Sequence, residues 1–238
     1  PLTVPHQGNT GGTNGNLDAL DDRPFMAHIR NQQLWTSQNI KVDNTGVVNA
    51  TDANNTRNGA RWYQFNVPVG SGTPTIVQSG IVFTQTANNL TTERHYWVPS
   101  IMVSGQGHAA MGFSTAGTNE RINAATVGRL ATDPPGTMQT PVLLTASSTA
   151  YNPPSDTGAS RGSRRWGDYS ITSLDPLDDM SMWTVQEFCS SANVYGVRVA
   201  RLIAPPPATP SVLADVNAGQ AVVNVTLTGL SVSGSGFY

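Results

Sequence analysis

The sequence predicts an all-β protein built from repeated antiparallel sheets. Helical periodicity is nearly absent, because apolar residues seldom recur at intervals of three and four positions. The 23 glycines and 16 prolines interrupt the chain every few residues, as they do between short strands. The segments between these interruptions fall into about three groups, each of roughly 40 to 60 residues, which favours separate sheets over one continuous sandwich.

Residues 1–22 are predicted to form an extended arm rich in glycine and asparagine, since they offer little apolar surface to bury. The main domain is predicted to span residues 23–203, with strands in three groups. The first group is PFMAHIRN, QQLWTSQNIKV and ARWYQFNV; the second is TIVQSGIVF, HYWVPSIMVS and GHAAMGFSTAG; the third is ATVGRLA, PVLLTASSTAY, DYSITSL, SMWTVQEF and YGVRVARLI. LWTSQNI, IMVSGQGHAAMGFS and MSMWTVQEF share a pattern of apolar and small residues beside a polar turn, which predicts the same position in successive sheets.

The stretch RRWGDYSITSLDPLDDMSMWTVQEF gives the clearest hairpin signal of the chain. Apolar and polar residues alternate in two runs that are joined by an acidic turn containing a proline, and this period of two predicts paired antiparallel strands. Trp166 and Trp183 lie near the openings of the two runs. Flat rings at these positions can cap a small sheet and pack on its neighbour.

Residues 204–210 read APPPATP, and a run of this kind predicts a stiff polyproline linker. Residues 211–238 then alternate in a way that predicts two strands of a short β-sandwich-like segment. So short a segment cannot bury a core by itself. We therefore expect it either to dock on the main domain or to begin an immunoglobulin-like module.

Composition limits the classes of partner. Only 12% of the residues are charged and the net charge is −2, so no basic field is available to hold a nucleic acid. No window approaches the roughly 18 apolar residues of a spanning helix, so membrane insertion is not expected. The single cysteine, Cys189, has no flanking basic group and is predicted to be a small buried apolar residue. Few charges and abundant Asn, Thr, Ser and Gly are typical of secreted bacterial β-proteins.

The stretch RWGDYSITSLDPLDDMSMWTVQEF, preceded by RINAATVGRLATDPPGTM and by HAAMGFSTAG, resembles bacterial secreted proteins with a sialidase-like β-propeller architecture. In that family a GYS or GFS segment is followed by GRL with a DP turn, then RWGDYS, then a DPxDD turn and a tryptophan-bearing strand that ends in an acidic and an aromatic residue. The matching residues are Gly112, Phe113, Ser114, Gly128, Arg129, Leu130, Asp133, Pro134, Arg165, Trp166, Gly167, Asp168, Tyr169, Ser170, Asp175, Pro176, Asp178, Asp179, Trp183, Glu187 and Phe188.

The resemblance covers roughly residues 101–202. It implies a β-propeller-like fold and a secreted or cell-surface location, whereas most members of the family are uncharacterised in activity. A complete propeller needs about four or more sheets, and this chain supplies about three. The propeller is therefore expected to be incomplete, with another chain or N-terminal sheets completing the ring, unless the sheets close differently.

Asp175, Asp178 and Asp179 form the densest carboxylate cluster, and flexible acidic loops can supply the oxygen ligands that calcium prefers. Their spacing does not match an EF-hand loop. The alternative, which we favour, is that these aspartates accept hydrogen bonds from turn amides and cap the hairpin. LDALDD, near the end of the arm, is a weaker calcium candidate of the same kind.

A sialidase-type hydrolase would need carboxylates at the reacting bond and arginines for an acidic substrate. Glu187, Asp168 and Arg165 are the candidate catalytic residues, and Arg129, Arg164, Arg198 and Tyr169 supply further residue types. The favoured alternative is that Arg165 and Asp168 pair with each other. Trp166, Trp183 and Arg165 are candidate binding residues, since exposed rings beside polar groups suit sugar faces. Regular recurrence of the five tryptophans favours core packing instead.

These patterns predict an extracellular, non-catalytic module for binding, adhesion or assembly, with a glycan or another surface protein as its partner. The first alternative is a sialidase-like glycoside hydrolase. The second is a structural subunit of an extracellular filament or sheath, in which strands of neighbouring copies pair at exposed edges.

Overall fold

The computed structural model describes residues 1–49, 51, 54–86, 93–204, 209–215 and 224–230, the last two ranges as strand backbone alone. Within these residues the chain is all-β, with one short 3-10 turn at Gly12–Gly15 and no helix long and apolar enough to span a membrane. Antiparallel sheets follow one another along the chain. The predicted fold class, an all-β, propeller-like array, is confirmed.

Three sheets make up the main domain, and each is a meander of neighbouring strands. The first sheet contains β1 (Met26–Arg30), β2 (Gln33–Val42), β3 (Arg57–Asn66) and β4 (Thr75–Val82). The second contains β5 (His95–Val103), β6 (Ala109–Gly117), β7 (Glu120–Arg129) and β8 (Val142–Leu143). The third contains β9 (Ile171–Leu174), β10 (Met182–Ser191) and β11 (Val194–Leu202). Four-stranded meanders are the form that propeller blades take.

The predicted grouping of the strands was wrong at the group boundaries. TIVQSGIVF forms β4 of the first sheet, and ATVGRLA and PVLLTASSTAY contribute β7 and β8 to the second. The reason is that β4 pairs along most of β3, with Trp62 opposite Gly80, so the hairpin continues the first sheet. LWTSQNI and MSMWTVQEF lie on β2 and β10, the second strands of their sheets, whereas IMVSGQGHAAMGFS runs from the end of β5 through the turn into β6. The three segments therefore correspond in position only in part.

The three sheets pack face to face with the second sheet in the middle. Every residue of β6 is buried, because one face of that strand contacts the first sheet and the other contacts the third. Met111 and Phe113 pack against Trp62, whereas Ala110 packs against Met182. The first strands β1, β5 and β9 also contact one another in series, as the innermost strands of sheets around a common axis do.

The N-terminal arm buries more than its composition predicts. Val4 and Leu17 are fully buried and pair with each other through two backbone hydrogen bonds of 2.8 Å. Leu17 also forms a parallel β-bridge with Arg164. The buried guanidinium of Arg164 donates to the carbonyls of Tyr151 and Asp156. The few apolar residues of the arm thus enter a core cluster with residues of β5, β6, β7 and β10 and with Trp166.

Beyond the third sheet, β12 (Thr209–Asp215) and β13 (Asn224–Leu230) form an antiparallel pair, in agreement with the two predicted strands. β12 begins inside the predicted linker of residues 204–210. Pro210 is its second residue, a position at which an outer strand tolerates the missing N–H. Residues 205–208, and the prediction of an immunoglobulin-like continuation, lie outside the described residues.

Candidate functional site

The candidate site lies where the segments leading into β1 and β9 meet. A pocket of about 300 Å³ opens beside the segment that precedes β9, and a second pocket of about 330 Å³ adjoins it. The first is lined by Tyr151, Arg165, Trp166, Gly167, Asp168, Tyr169, Glu187 and Tyr195. The second is lined by Leu20, Asp21, Arg23, Pro24, Phe25, Arg165, Asp168 and Tyr169. The structure therefore brings the candidate residues Glu187, Asp168, Arg165 and Trp166 to one place.

Glu187 contributes a half-buried carboxylate to the first pocket. It lies on β10 opposite Val197, and the backbone N–H of Gly167 donates to its carboxylate. Desolvation raises the pKa of Glu187 above its usual value, and the nearby charge of Asp168 adds to the effect. Among the ion pairs of the described residues, none involves Glu187. A carboxylate held in this way can accept hydrogen bonds from a ligand.

Arg165 and Asp168 pair with each other across the boundary between the two pockets. Nη2 of Arg165 lies 2.6 Å from each carboxylate oxygen of Asp168. A hydrogen bond anchors the segment that carries them, because the Arg165 backbone N–H donates to Asp156 Oδ2 at 2.8 Å. The pairing that the sequence favoured is the geometry observed, and it occupies both oxygens of Asp168.

Four aromatic rings surround Glu187. Trp166 is buried, donates from Nε1 to Ser114 Oγ at 3.1 Å, and meets Tyr151 edge to face at 5.2 Å. Tyr169 and Tyr195 are 80% and 59% exposed. Trp166 thus supports the pocket from the core side, whereas the two exposed tyrosines offer ring faces to a ligand.

Sequence reasoning missed Tyr151, Tyr195 and the Asp21–Arg23 ion pair as part of this site. Tyr151 follows β8 and Tyr195 lies on β11, so only the packing of sheets brings them to Glu187. In the sequence, only the residue type of Tyr151 and Tyr195 could have indicated a role here, since exposed tyrosine beside polar residues suits ligand contact.

Trp183 does not reach the pocket, although it was a candidate binding residue. It lies on the outer face of the third sheet, 40% exposed, and donates from Nε1 to Asp175 Oδ2 at 3.1 Å. Trp35, Trp62 and Trp97 are buried in the core.

The other candidate arginines do not converge on the pocket either. Arg164 anchors the arm from a buried position, and Arg129 donates to the carbonyls of Asp133 and Thr137 beyond the far end of β7. An arginine cluster for an acidic sugar is therefore not formed by these residues.

The aspartates of the acidic turn have separate protein partners. Asp178 accepts from the backbone N–H groups of Met180 and Ser181 and from the Ser181 hydroxyl, and these bonds lower its pKa far below the usual value. Asp175 accepts from the N–H of Leu177, and Asp179 pairs with Arg30 of the first sheet. In the described part of the chain, no three carboxylate, histidine or cysteine side chains are placed to hold a metal ion. These contacts are those of a capped hairpin.

Comparisons with known proteins give little further information. No family model and no curated protein matches the chain. A solved β-xylosidase, RS223-Beta-xylosidase, is similar over 69% of this chain at 14% identity and a TM-score of 0.33. The matched part spans 43% of that protein. The site must therefore be interpreted from its own geometry.

Proposed function

We propose that this chain is an extracellular, non-catalytic module that binds a glycan at the pocket around Glu187. The observation that carries the proposal is the combination in one pocket of exposed tyrosine rings with a half-buried carboxylate that has no ion-pair partner among the described residues. Rings offer stacking surface to the apolar face of a sugar, and a carboxylate accepts strong hydrogen bonds from its hydroxyl groups.

The size of the pocket favours a small ligand unit. About 300 Å³ lies at the lower end of the range for small-molecule sites, which suits one terminal sugar residue, with the adjoining pocket available to its neighbour. The ligand is expected to be neutral or cationic, because Arg165 is the single arginine among the described residues that line this pocket, and its guanidinium already pairs with Asp168.

The proposal assigns binding without hydrolysis. A glycosidase of the usual kind needs two carboxyl groups that act on the same bond. Here both oxygens of Asp168 are held by Arg165, which leaves Glu187 as the carboxylate available to a ligand in this pocket.

The test is a glycan array followed by calorimetry on the glycans that bind. Tyr169→Ala is expected to weaken binding roughly tenfold through lost stacking, which corresponds to about 1.4 kcal/mol. Tyr169→Phe keeps the ring and should retain most of the affinity. Trp183→Ala is the matched control, because it removes an exposed ring outside the pocket. An array on which no glycan binds, or equal losses in Tyr169→Ala and Trp183→Ala, would contradict the proposal.

A second candidate, a sialidase-like hydrolase, is favoured by one observation. The raised pKa of Glu187 is what a general acid requires, and Asp168 lies close enough to contribute to it. Turnover of fluorogenic glycosides that disappears in both Glu187→Gln and Asp168→Asn would establish this function and replace the binding proposal. Binding without turnover would exclude it.

A further inference from the structure

Each of the two outward faces of the three-sheet stack carries a row of apolar residues that no other sheet of the described chain covers. On the first sheet, one cross-strand row runs through all four strands: Ile29 lies opposite Leu34, Leu34 opposite Phe65, and Phe65 opposite Ile76. Ile29 and Ile76 are 66% and 63% exposed. The outer face of a sheet that ends a stack is normally polar, because alternation places the polar residues towards water.

The third sheet presents a similar row on the opposite end of the stack. Ile171 lies opposite Val185, and Val185 lies opposite Val199. Val199 and its neighbour on the same face, Val197, are 55% and 52% exposed. We call these two surfaces the first-sheet face (Ile29, Leu34, Tyr63, Phe65, Ile76) and the third-sheet face (Ile171, Val185, Val197, Val199); the third-sheet face ends at Val197, which lies opposite Glu187 of the pocket.

Side chains of the first-sheet face also pack against one another. Tyr63 and Phe65 stack at 5.8 Å, and the Arg61 guanidinium lies 5.1 Å from the Tyr63 ring centre. Contiguous exposed apolar patches of this extent on soluble proteins mark surfaces that bind another protein.

We propose that a second copy of this chain covers both faces, with the third-sheet face of each copy on the first-sheet face of the other. Such head-to-tail contacts close into a ring when the rotation between copies allows it. Two stacks of three sheets give six, within the typical range of about four to eight sheets for a closed propeller. β1 contacts β5, and β5 contacts β9, as expected for the innermost strands of sheets arranged about one axis.

The area available matches what a stable dimer needs. At about 4.8 Å between strands and about 3.3 Å per residue, β9 (4 residues), β10 (10 residues) and β11 (9 residues) present roughly 360 Å² on the smaller of the two faces. Four faces of this size, two in each contact, bury roughly 1,400 Å², within the range of a standard specific interface. The β12–β13 hairpin is a poorer occupant, because two strands cover only about 10 Å of width and could serve one face alone.

The experiment is sedimentation velocity on the full chain. The wild type is expected to sediment with about twice the 25.2 kDa mass of one chain. Val199→Glu on the third-sheet face and Ile76→Glu on the first-sheet face should each weaken the dimer by roughly tenfold or more, since each places an unpaired charge in both contacts. Val69→Glu is the matched control, because Val69 is 84% exposed and lies outside both faces. Near-ultraviolet circular dichroism checks that every variant is folded.

Mixing the two variants separates this arrangement from a symmetric one. A mixture of Val199→Glu with Ile76→Glu retains one intact contact and should form a mixed dimer that neither variant forms alone. A monomeric wild type, a mixture that stays monomeric, or a dimer that Ile76→Glu leaves unchanged would overturn the proposal. Mass that grows steadily with concentration would also overturn it, because it indicates an open chain of copies.

Discussion

Acid should destabilise this protein through a buried histidine, and His95 gives the clearest case. Its side chain is 3% exposed, and Nδ1 accepts the backbone N–H of Asn58 at 3.2 Å. Protonation would remove this acceptor and place a second cation near Arg57. Desolvation, with a smaller contribution from Arg57, accordingly lowers the pKa of His95 from 6.5 to about 4.

The sign and size of the effect follow from linkage. Between pH 6.5 and about 4 the unfolded chain binds a proton at His95 and the folded chain does not, so the free energy of unfolding falls as the pH falls through this range. The full shift corresponds to about 3 kcal/mol. His6, whose pKa is also lowered to about 4, contributes in the same direction. Glu187 contributes in the opposite direction, because its pKa is raised and its ionisation costs stability as the pH rises.

The assay is urea unfolding at several pH values across this window, for the wild type and for His95→Asn. The Oδ1 atom of asparagine is bonded to Cγ, as Nδ1 of histidine is, so it can still accept the Asn58 N–H but does not titrate. The variant should therefore lose about 3 kcal/mol less than the wild type between near-neutral pH and pH 4. His6 and Glu187 are unchanged in both proteins, so their contributions cancel in the comparison. Parallel pH profiles for the two proteins would refute the reasoning.

Two further predictions concern the core. Glu93→Gln should cost about 3 to 5 kcal/mol of stability in urea unfolding, because it removes a buried carboxylate that lies 2.7 Å from the fully buried Arg57 guanidinium. The partly exposed pair Arg94–Glu120 is the control, and Glu120→Gln should cost about 1 kcal/mol or less. An equal cost at both positions would contradict the assignment. Gly112→Ala should cost about 1 to 3 kcal/mol in the same assay, because a methyl group there would collide with Thr184 and Gln186 of the third sheet. A Gly112→Ala variant as stable as the wild type would contradict this prediction, because the second and third sheets could then move apart at no cost in stability.

Much of the local structure could be predicted from the sequence. The alternation in the RWGDYS stretch and after the acidic turn placed β9 and β10, which pair from Leu174 opposite Met182 onwards. The turn chemistry was also predictable, since aspartates that precede backbone N–H groups accept from them within two or three residues. Cys189 is buried, as its flanking residues predicted.

The sequence by itself determined where strands begin and turn, because a period of two and turn-forming residues are local properties. Only the tertiary structure decided which hairpins join into one sheet, how Tyr151 and Tyr195 come to surround Glu187, and that Arg165 neutralises Asp168 at the mouth of the pocket. It also decided that apolar rows stay exposed at both ends of the stack, since alternation shows which residues share a face but not whether another sheet covers that face.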